Sequence, residues 1–268
     1  MNKVIPIIEI DPNLIKELAA KGKRLDGRGF EAYRPAVITS GIITSAEGSA
    51  RVQLGGTEVI VGVKMNIGEP FPDTPDEGVL IVMAEFLPLA SPDFEPGPPN
   101  ENAVELARVV DRAIRESKAI DMKKLCITPG EKVWMIYIDI DILDNDGNLI
   151  DAAGLGAAAA LHDARIPEVV DDKPVYDEKG YHKLPMRGTP LSTTLAKVNG
   201  RILADPTLAE EMSADARLTV GSIKVDNHVL LCSIQKGKST GLSLDDIEAM
   251  LSLAVAKGEE LRDLLAHA

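Results

Sequence analysis

The stretch from Asp151 to Ala164 reads DAAGLGAAAALHDA. Alanine has the strongest intrinsic preference for helix, and a helix without a polar face has to be buried. Small side chains also let a helix backbone come close to whatever covers it. The stretch therefore predicts a buried helix packed tightly against a sheet. Gly154-Leu155-Gly156-Ala157-Ala158-Ala159 also fits the loose dinucleotide pattern G-x-G-x-x-A. Such a site needs a strand running directly into the glycine turn, with the helix opening just after it. Here the preceding strand ends near Leu143 and the turn falls at Asp146-Gly147, so the glycines lie inside a helix already under way.

The rest of the chain supplies the sheets. Aromatic residues make up only 3%, so the core has to be aliphatic. Asp11-Pro12 reads as a cap with proline at the first helical position, and Leu14, Ile15, Leu18 and Ala19 repeat at helical spacing before Gly22. A basic stretch follows, with Lys21, Lys23, Arg24 and Arg28. Val37-Ile38, Ile42-Ile43 and Val59-Ile60-Val61, separated by Gly41, Gly48 and Gly55-Gly56, read as strand–turn–strand. Another strand spans Gly78 to Leu87, Ser91 to Asn100 is a proline-rich loop, and a helix runs from Glu101 to about Lys118. Val133 to Leu143 alternates apolar residues with Tyr137, Asp139 and Asp141, a strand with one polar face. Strands are expected near Leu195 to Leu203, Leu218 to Ile223 and Val229 to Gln235, then a long helix from about Ser243. Hairpin-linked strands with helices between the blocks point to an α+β fold.

With 268 residues the chain can bury a sizeable core in one large domain or two small ones. Its net charge of −13 is the reverse of a stand-alone nucleic-acid binder's basic field. Contact with RNA would need a local basic patch, or a complex whose other members supply positive charge. Cys126 and Cys232 form no CxxC pair and read as buried reduced thiols, consistent with a cytoplasmic protein. The apolar run Val4 to Ile8 is too short for a signal-peptide core, and no run approaches a membrane span.

Chemistry-bearing patterns are few. Asp144-Asn145-Asp146-Gly147-Asn148 fails as a calcium loop, because the end positions would be Ile142 and Ala153. None of the four histidines pairs with another His or a Cys at metal-ligand spacing, so neither metal nor cofactor is expected. Asp205, Glu210, Glu211 and Asp215 would suit Mg²⁺ or acid–base work, or simply a solvated helix start capped by Asp205-Pro206. On the helix after Asn100, Leu106, Ala107, Val109, Val110, Ala113 and Ile114 share one arc, and Arg108, Arg112 and Arg115 form a stripe opposite. Such a row can fork onto phosphates, or pair along the helix as Asp111–Arg115 and Arg112–Glu116.

Taken in order, these segments resemble the RNase PH superfamily of phosphorolytic 3′→5′ exoribonucleases. The resemblance rests on Arg24-Leu25-Asp26-Gly27-Arg28 with Arg34-Pro35, on Gly48 to Val52 and Gly56 to Val63, and on the Asn102-to-Arg115 helix. It continues through Asp151 to Leu161, Ile166-Pro167, Asp205 to Glu211 and Ser243 to Lys257. It implies an RNase PH-like fold of mixed sheets packed with helices, in two subdomains preceded by an N-terminal helix. The expected divisions are 1–30 for the N-terminal helix and basic segment, 31–170 for the first subdomain, 171–188 for a linker and 189–268 for the second subdomain.

Two departures from the catalytic pattern matter. Catalytic members follow the Asp-Gly turn with Gly-Thr-Arg or Gly-Ser-Arg, which holds the attacking phosphate. Here Asn148-Leu149-Ile150-Asp151 follows, so Ile150 replaces the arginine and Asp151 adds negative charge beside the phosphate position. The acidic residues Glu210, Glu211 and Asp215 are also spaced differently, so no catalytic residue is carried over. The string Glu105 to Arg112 resembles the non-catalytic subunit of the archaeal exosome. That resemblance implies a three-plus-three ring with a catalytic RNase PH-like partner, RNA-binding cap subunits and single-stranded RNA in the channel. It also implies RNA contacts for Arg108 and Arg112, with a weaker match at Arg115. The alternatives are an active phosphate-dependent exoribonuclease, a dinucleotide enzyme using Gly154 and Gly156, and a purely architectural subunit.

Overall fold

The computed structural model of the protein describes residues 11–170, 173–175 and 181–267. The Val4–Ile8 run lies outside them, as do residues 171–172 and 176–180 of the segment read as a linker. Helix α1 (Pro12–Ala20) is capped by Asp11, whose carboxylate accepts from the Asn13 N–H at 2.9 Å. The first sheet has the order β1 (Ala36–Ser40), β2 (Gly48–Leu54), β3 (Thr57–Gly68), β6 (Lys132–Asp144), β4 (Val79–Phe86), with short β5 (Cys126–Thr128) also on β6. β4 and β6 are parallel and the other pairs antiparallel, so the chain crosses over between β4 and β6 through α2 (Glu101–Glu116). Next come α3 (Leu149–Asp163), β7 (Arg165–Ile166), β8 (Glu168–Val170), β9 (Lys173–Val175) and β10 (His182–Lys183), the strands forming two small ladders. The second sheet is antiparallel, from β11 (Pro190–Val198), β12 (Arg201–Ala204), β13 (Ala216–Val225) and β14 (His228–Gly237), in the order β12-β11-β13-β14. Helix α4 (Leu208–Ser213) links β12 to β13, and α5 (Leu244–Ala266) closes the chain.

α3 lies at the centre. Every residue from Ile150 to Leu161 is buried, and the helix packs on β2 and β3 of one sheet and on β11 of the other. The alanines permit this on both sides at once. At Gly156 a Cβ would stand 2.8 Å from Val61 Cγ2, closer than real contacts allow, so the glycine sets the helix-to-sheet distance. Gly48 meets the far end of α3 in the same way, where a Cβ would lie 2.3 Å from the Ala160 carbonyl oxygen. Gly154 and Gly156 both lie within the helix, which excludes the dinucleotide turn.

Several boundaries differ from the sequence reading. Ile42-Ile43 is not a strand: Gly41 turns at φ +70°, and both the Gly41 and Ile43 N–H groups bond to Ser49, so the second strand starts at Gly48. The stretch near Leu195 to Leu203 is a hairpin, β11 to β12, turned by Asn199-Gly200 with both φ positive. Cys126 and Cys232 are free but half-exposed rather than buried, because each lies at a sheet edge or a break in register.

Candidate functional site

Three arginines near the start of the chain hold the segment that leads into α4, and one of them, Arg34, also holds the turn before α3. Arg24 reaches Glu210 through Nε at 2.8 Å and Nη2 at 2.6 Å, with both side chains almost wholly enclosed. Arg34 donates twice to Asp205, at 2.9 and 2.7 Å, and its remaining N–H groups reach the Asp146 and Gly147 carbonyls. Arg28 adds a third cation contact to Asp205 at 2.8 Å. Burial alone would raise the Asp205 carboxyl, but the Arg34 guanidinium outweighs it and holds the group below its usual range. Asp205 sits at φ +47°, so it is no helix cap. The cap of α4 is Thr207, which forms a capping box with Glu210. The solvated acidic helix start expected here is therefore absent: Asp205 and Glu210 are buried in ion pairs, and Asp215 bonds Lys16 at 3.0 Å. Among the described residues no group of His, Cys, Asp or Glu is placed to hold a metal ion.

The same network sets the start of α3. Thr57 Oγ donates to the Gly147 carbonyl at 2.6 Å, and Gly147 at φ +84° lies so close to α4 that a Cβ would stand 2.3 Å from Leu208 N. Asn148 is left-handed at φ +55° and spends its side-chain amide on Asp151 and Asp205. Asp151 is not left as a free charge beside the turn. Its carboxylate turns inward and accepts from the Tyr33 hydroxyl at 2.6 Å, from Thr194 N–H at 2.9 Å and from Thr194 Oγ1 at 2.7 Å. Burial pushes it up to about 6 against these bonds. Its role is to tie α3 to the second sheet.

A cleft of about 650 Å³ opens where α2, α3 and α4 begin. Leu149 and Ile150 form its wall at the start of α3, and Ile150 is 6% exposed. Glu211 lines the opposite side. Burial pushes its carboxyl up to about 7, against the pull of Arg217 and the nearby Asn148 backbone. The two cations lining the cleft are Arg217, which is paired with Glu105, and the exposed Lys238. Among the described residues, then, Arg34 and Arg217 are the guanidinium groups near the start of α3, the first held by Asp205, Asp146 and Gly147 and the second paired with Glu105. Tyr33, Thr194, Asn148 and Arg217 escaped the sequence reading. Their only signal would have been pairing across long separations.

On α2 the apolar arc is buried as expected, with Ala103 added. Arg108, Arg112 and Arg115 are all exposed. Arg115 bonds Asp111 at 2.6 Å and the Leu80 carbonyl at 2.8 Å. The expected Arg112–Glu116 pair is not formed, and among the described residues neither the Arg108 nor the Arg112 side chain makes a hydrogen bond or ion pair.

The fold and cleft define a class: an α+β protein of two subdomains sharing one buried helix, with a pocket where that helix begins. Sequence profiles of the 3′ exoribonuclease family match residues 32–167 (domain 1) and 188–257 (domain 2), and the chain belongs to that family. It is 48% identical over 267 residues to exosome complex component Rrp42 of Methanothermobacter thermautotrophicus, covering 99% of this chain and 97% of the relative. It is 47% identical to exosome complex component Rrp42 of Thermococcus onnurineus, covering 95% and 93%. Among solved structures it resembles a chain of the Archaeoglobus fulgidus exosome with RNA bound to the active site, at TM-score 0.87 and 45% identity, covering 94% of this chain and 96% of that one. An archaeal exosome core gives TM-score 0.84 at 40% identity, covering 95% and 96%.

Proposed function

We propose that this chain is a non-catalytic ring subunit of an archaeal-type exosome, working in the cytoplasm with a catalytic RNase PH-like partner and RNA-binding cap subunits. The observation that carries the reading is the start of α3. The side chain there is a buried isoleucine, Ile150, where the catalytic pattern has an arginine, and the Glu211 carboxyl lines the same cleft. An attacking phosphate needs N–H donors and positive charge at that point. The likeness to exosome components over nearly the whole chain supports assembly into a ring. The free, exposed guanidinium groups of Arg108 and Arg112 support a contact with RNA threading toward the partner's active site. Arg115, held by Asp111 and the Leu80 carbonyl, contributes through fewer free donors.

The test is co-expression with a catalytic RNase PH-like partner, native mass measurement, and RNA decay with and without phosphate. The expected result is a closed hetero-hexamer with phosphate-dependent decay, and no decay by the lone chain. Substituting Arg108→Glu and Arg112→Glu should leave the ring intact and weaken RNA binding. Each well-formed contact to phosphate contributes about 1.5–3 kcal/mol, and the loss should shrink at high salt. Release of nucleoside diphosphates by the pure chain would refute the non-catalytic reading. Unchanged RNA affinity in intact double-variant rings at low salt would refute the arginine contact.

A further inference from the structure

We infer that the cleft at the start of α3 is a binding pocket for an uncharged nucleobase. The inference rests on the reading above that Ile150 excludes phosphate. Its volume of about 650 Å³ suits a small organic ligand. Phe86, Leu106, Leu149, Ile150, Leu208 and Met212 give it apolar walls, and the Phe86 and Phe94 rings lie 4.7 Å apart at one end. Flat heterocycles stack on such surfaces without regard to sequence.

The charges lining the cleft select against an anion. Asp93, Glu105 and Glu211 face it, against Arg217, whose Nη2 is paired with Glu105 and whose buried Nε has no hydrogen-bond partner among the described residues, and Lys238 at the exposed rim. A phosphoryl group would meet more carboxylates than free cations. The remaining polar groups are side-chain amides. Among the described residues the Asn102 side chain makes no hydrogen bond, and the side chains of Asn100 and Asn145 use only their oxygens, on Ala103 N–H and Gly147 N–H. An amide both donates and accepts, as does the edge of a nucleobase. Glu211, pushed up to about 7 by burial, is partly protonated near neutral pH and can also do both. A purely aliphatic ligand would leave these groups unmet.

The base can come from a free nucleoside or from an unstacked nucleotide of an RNA strand. The experiment is calorimetric titration of the full chain, alone and in the assembled ring. The probes are the four nucleosides, their 5′-diphosphates, inorganic phosphate and a short oligoribonucleotide. At least one nucleoside should bind saturably, about tenfold more tightly than its diphosphate. Met212→Trp and, separately, Ile150→Trp should fill the cleft and weaken binding by about tenfold. Circular dichroism serves as the folding control for both. Arg108→Glu with Arg112→Glu should leave nucleoside binding intact, which separates this pocket from the RNA contact on α2. Competition by the oligoribonucleotide would assign the base to RNA, and its absence would assign it to free nucleoside, each supporting the pocket. No saturable nucleoside binding would overturn the inference, as would diphosphate or phosphate binding equally well. Binding by the lone chain that vanishes in the ring would assign the cleft to a segment of the partner and also overturn it. Phosphate-dependent decay by the lone chain would instead overturn the reading on which the inference rests.

Discussion

Replacing Asp205 with asparagine keeps the size and shape of the side chain but removes its negative charge and one acceptor oxygen. Asparagine tolerates the left-handed backbone at φ +47°, so the turn itself is not strained. The carboxylate now accepts from Arg34 Nε at 2.9 Å, Arg34 Nη2 at 2.7 Å, Arg28 Nη1 at 2.8 Å, the Arg34 N–H at 2.7 Å and Asn148 Nδ2 at 2.8 Å. An amide offers one oxygen where two served, and turns N–H groups toward donors. Asp205 is fully enclosed and the Arg34 side chain is 6% exposed, so water cannot take over. Removing one partner of a buried ion pair costs about 3–5 kcal/mol. At roughly 2–4 °C per kcal/mol, Tm should fall by about 6–20 °C. The measurement is urea and thermal unfolding of wild type and Asp205→Asn by circular dichroism. The acid side gives a second check. Because the Asp205 carboxyl is held below its ordinary value of 3.8, its stabilisation is complete above that value and is lost as pH falls through the lower folded value. The gap between wild type and variant should therefore be widest at neutral pH and close in acid. A deficit under about 1 kcal/mol at neutral pH, or one that stays constant into acid, would refute the reasoning.

Three further outcomes are expected. Gly156→Ala puts a methyl 2.8 Å from Val61 and should cost about 1–3 kcal/mol in urea unfolding, despite the better helix propensity of alanine. Tyr33→Phe removes the 2.6 Å bond to Asp151 and should cost about 1.5–3 kcal/mol by the same assay, with the folded structure retained. Glu211 has a folded value of about 7 against an ordinary 4.5, so the folded form keeps a proton the unfolded chain has lost, and stability falls as pH rises through that window. Glu211→Gln should flatten that part of the stability–pH curve, and an unchanged slope would argue against a protonated Glu211 in the cleft wall.

Local patterns carried much of the fold. The alanine run, the amphipathic α2, the cap at Asp11 and the long helix from about Ser243 each follow from a few neighbouring residues, and each appears as read. What failed was long-range. Ile42-Ile43 looks like a strand until Ser49 takes both nearby N–H groups into a turn. Asp205-Pro206 looks like a cap until Arg34 claims the carboxylate and bends the backbone left-handed. Asp151 looks like a charge beside the cleft until Tyr33 and Thr194 draw it inward. The site was legible where a substitution has a local meaning, as at Ile150. It was opaque where burial decides, as at Glu211. The guanidinium row on α2 was legible as a surface, but the sequence alone did not tell which arginine would be left without a neighbour.

The clasp on Asp205 also has a meaning for synthesis. Arg34 and its acceptor are 171 residues apart in the chain. A ribosome finishes the first sheet and the alanine helix long before Asp205 leaves the exit tunnel. Until then Arg34 has only the Asp146 and Gly147 carbonyls and the Asp146 carboxylate to hold, and Asp151 lacks its Thr194 donors. The nascent first half must wait with its central helix half-covered. Its last polar contacts close only when the second half arrives, so a chain stalled before β12 exposes an apolar helix to chaperones and proteases.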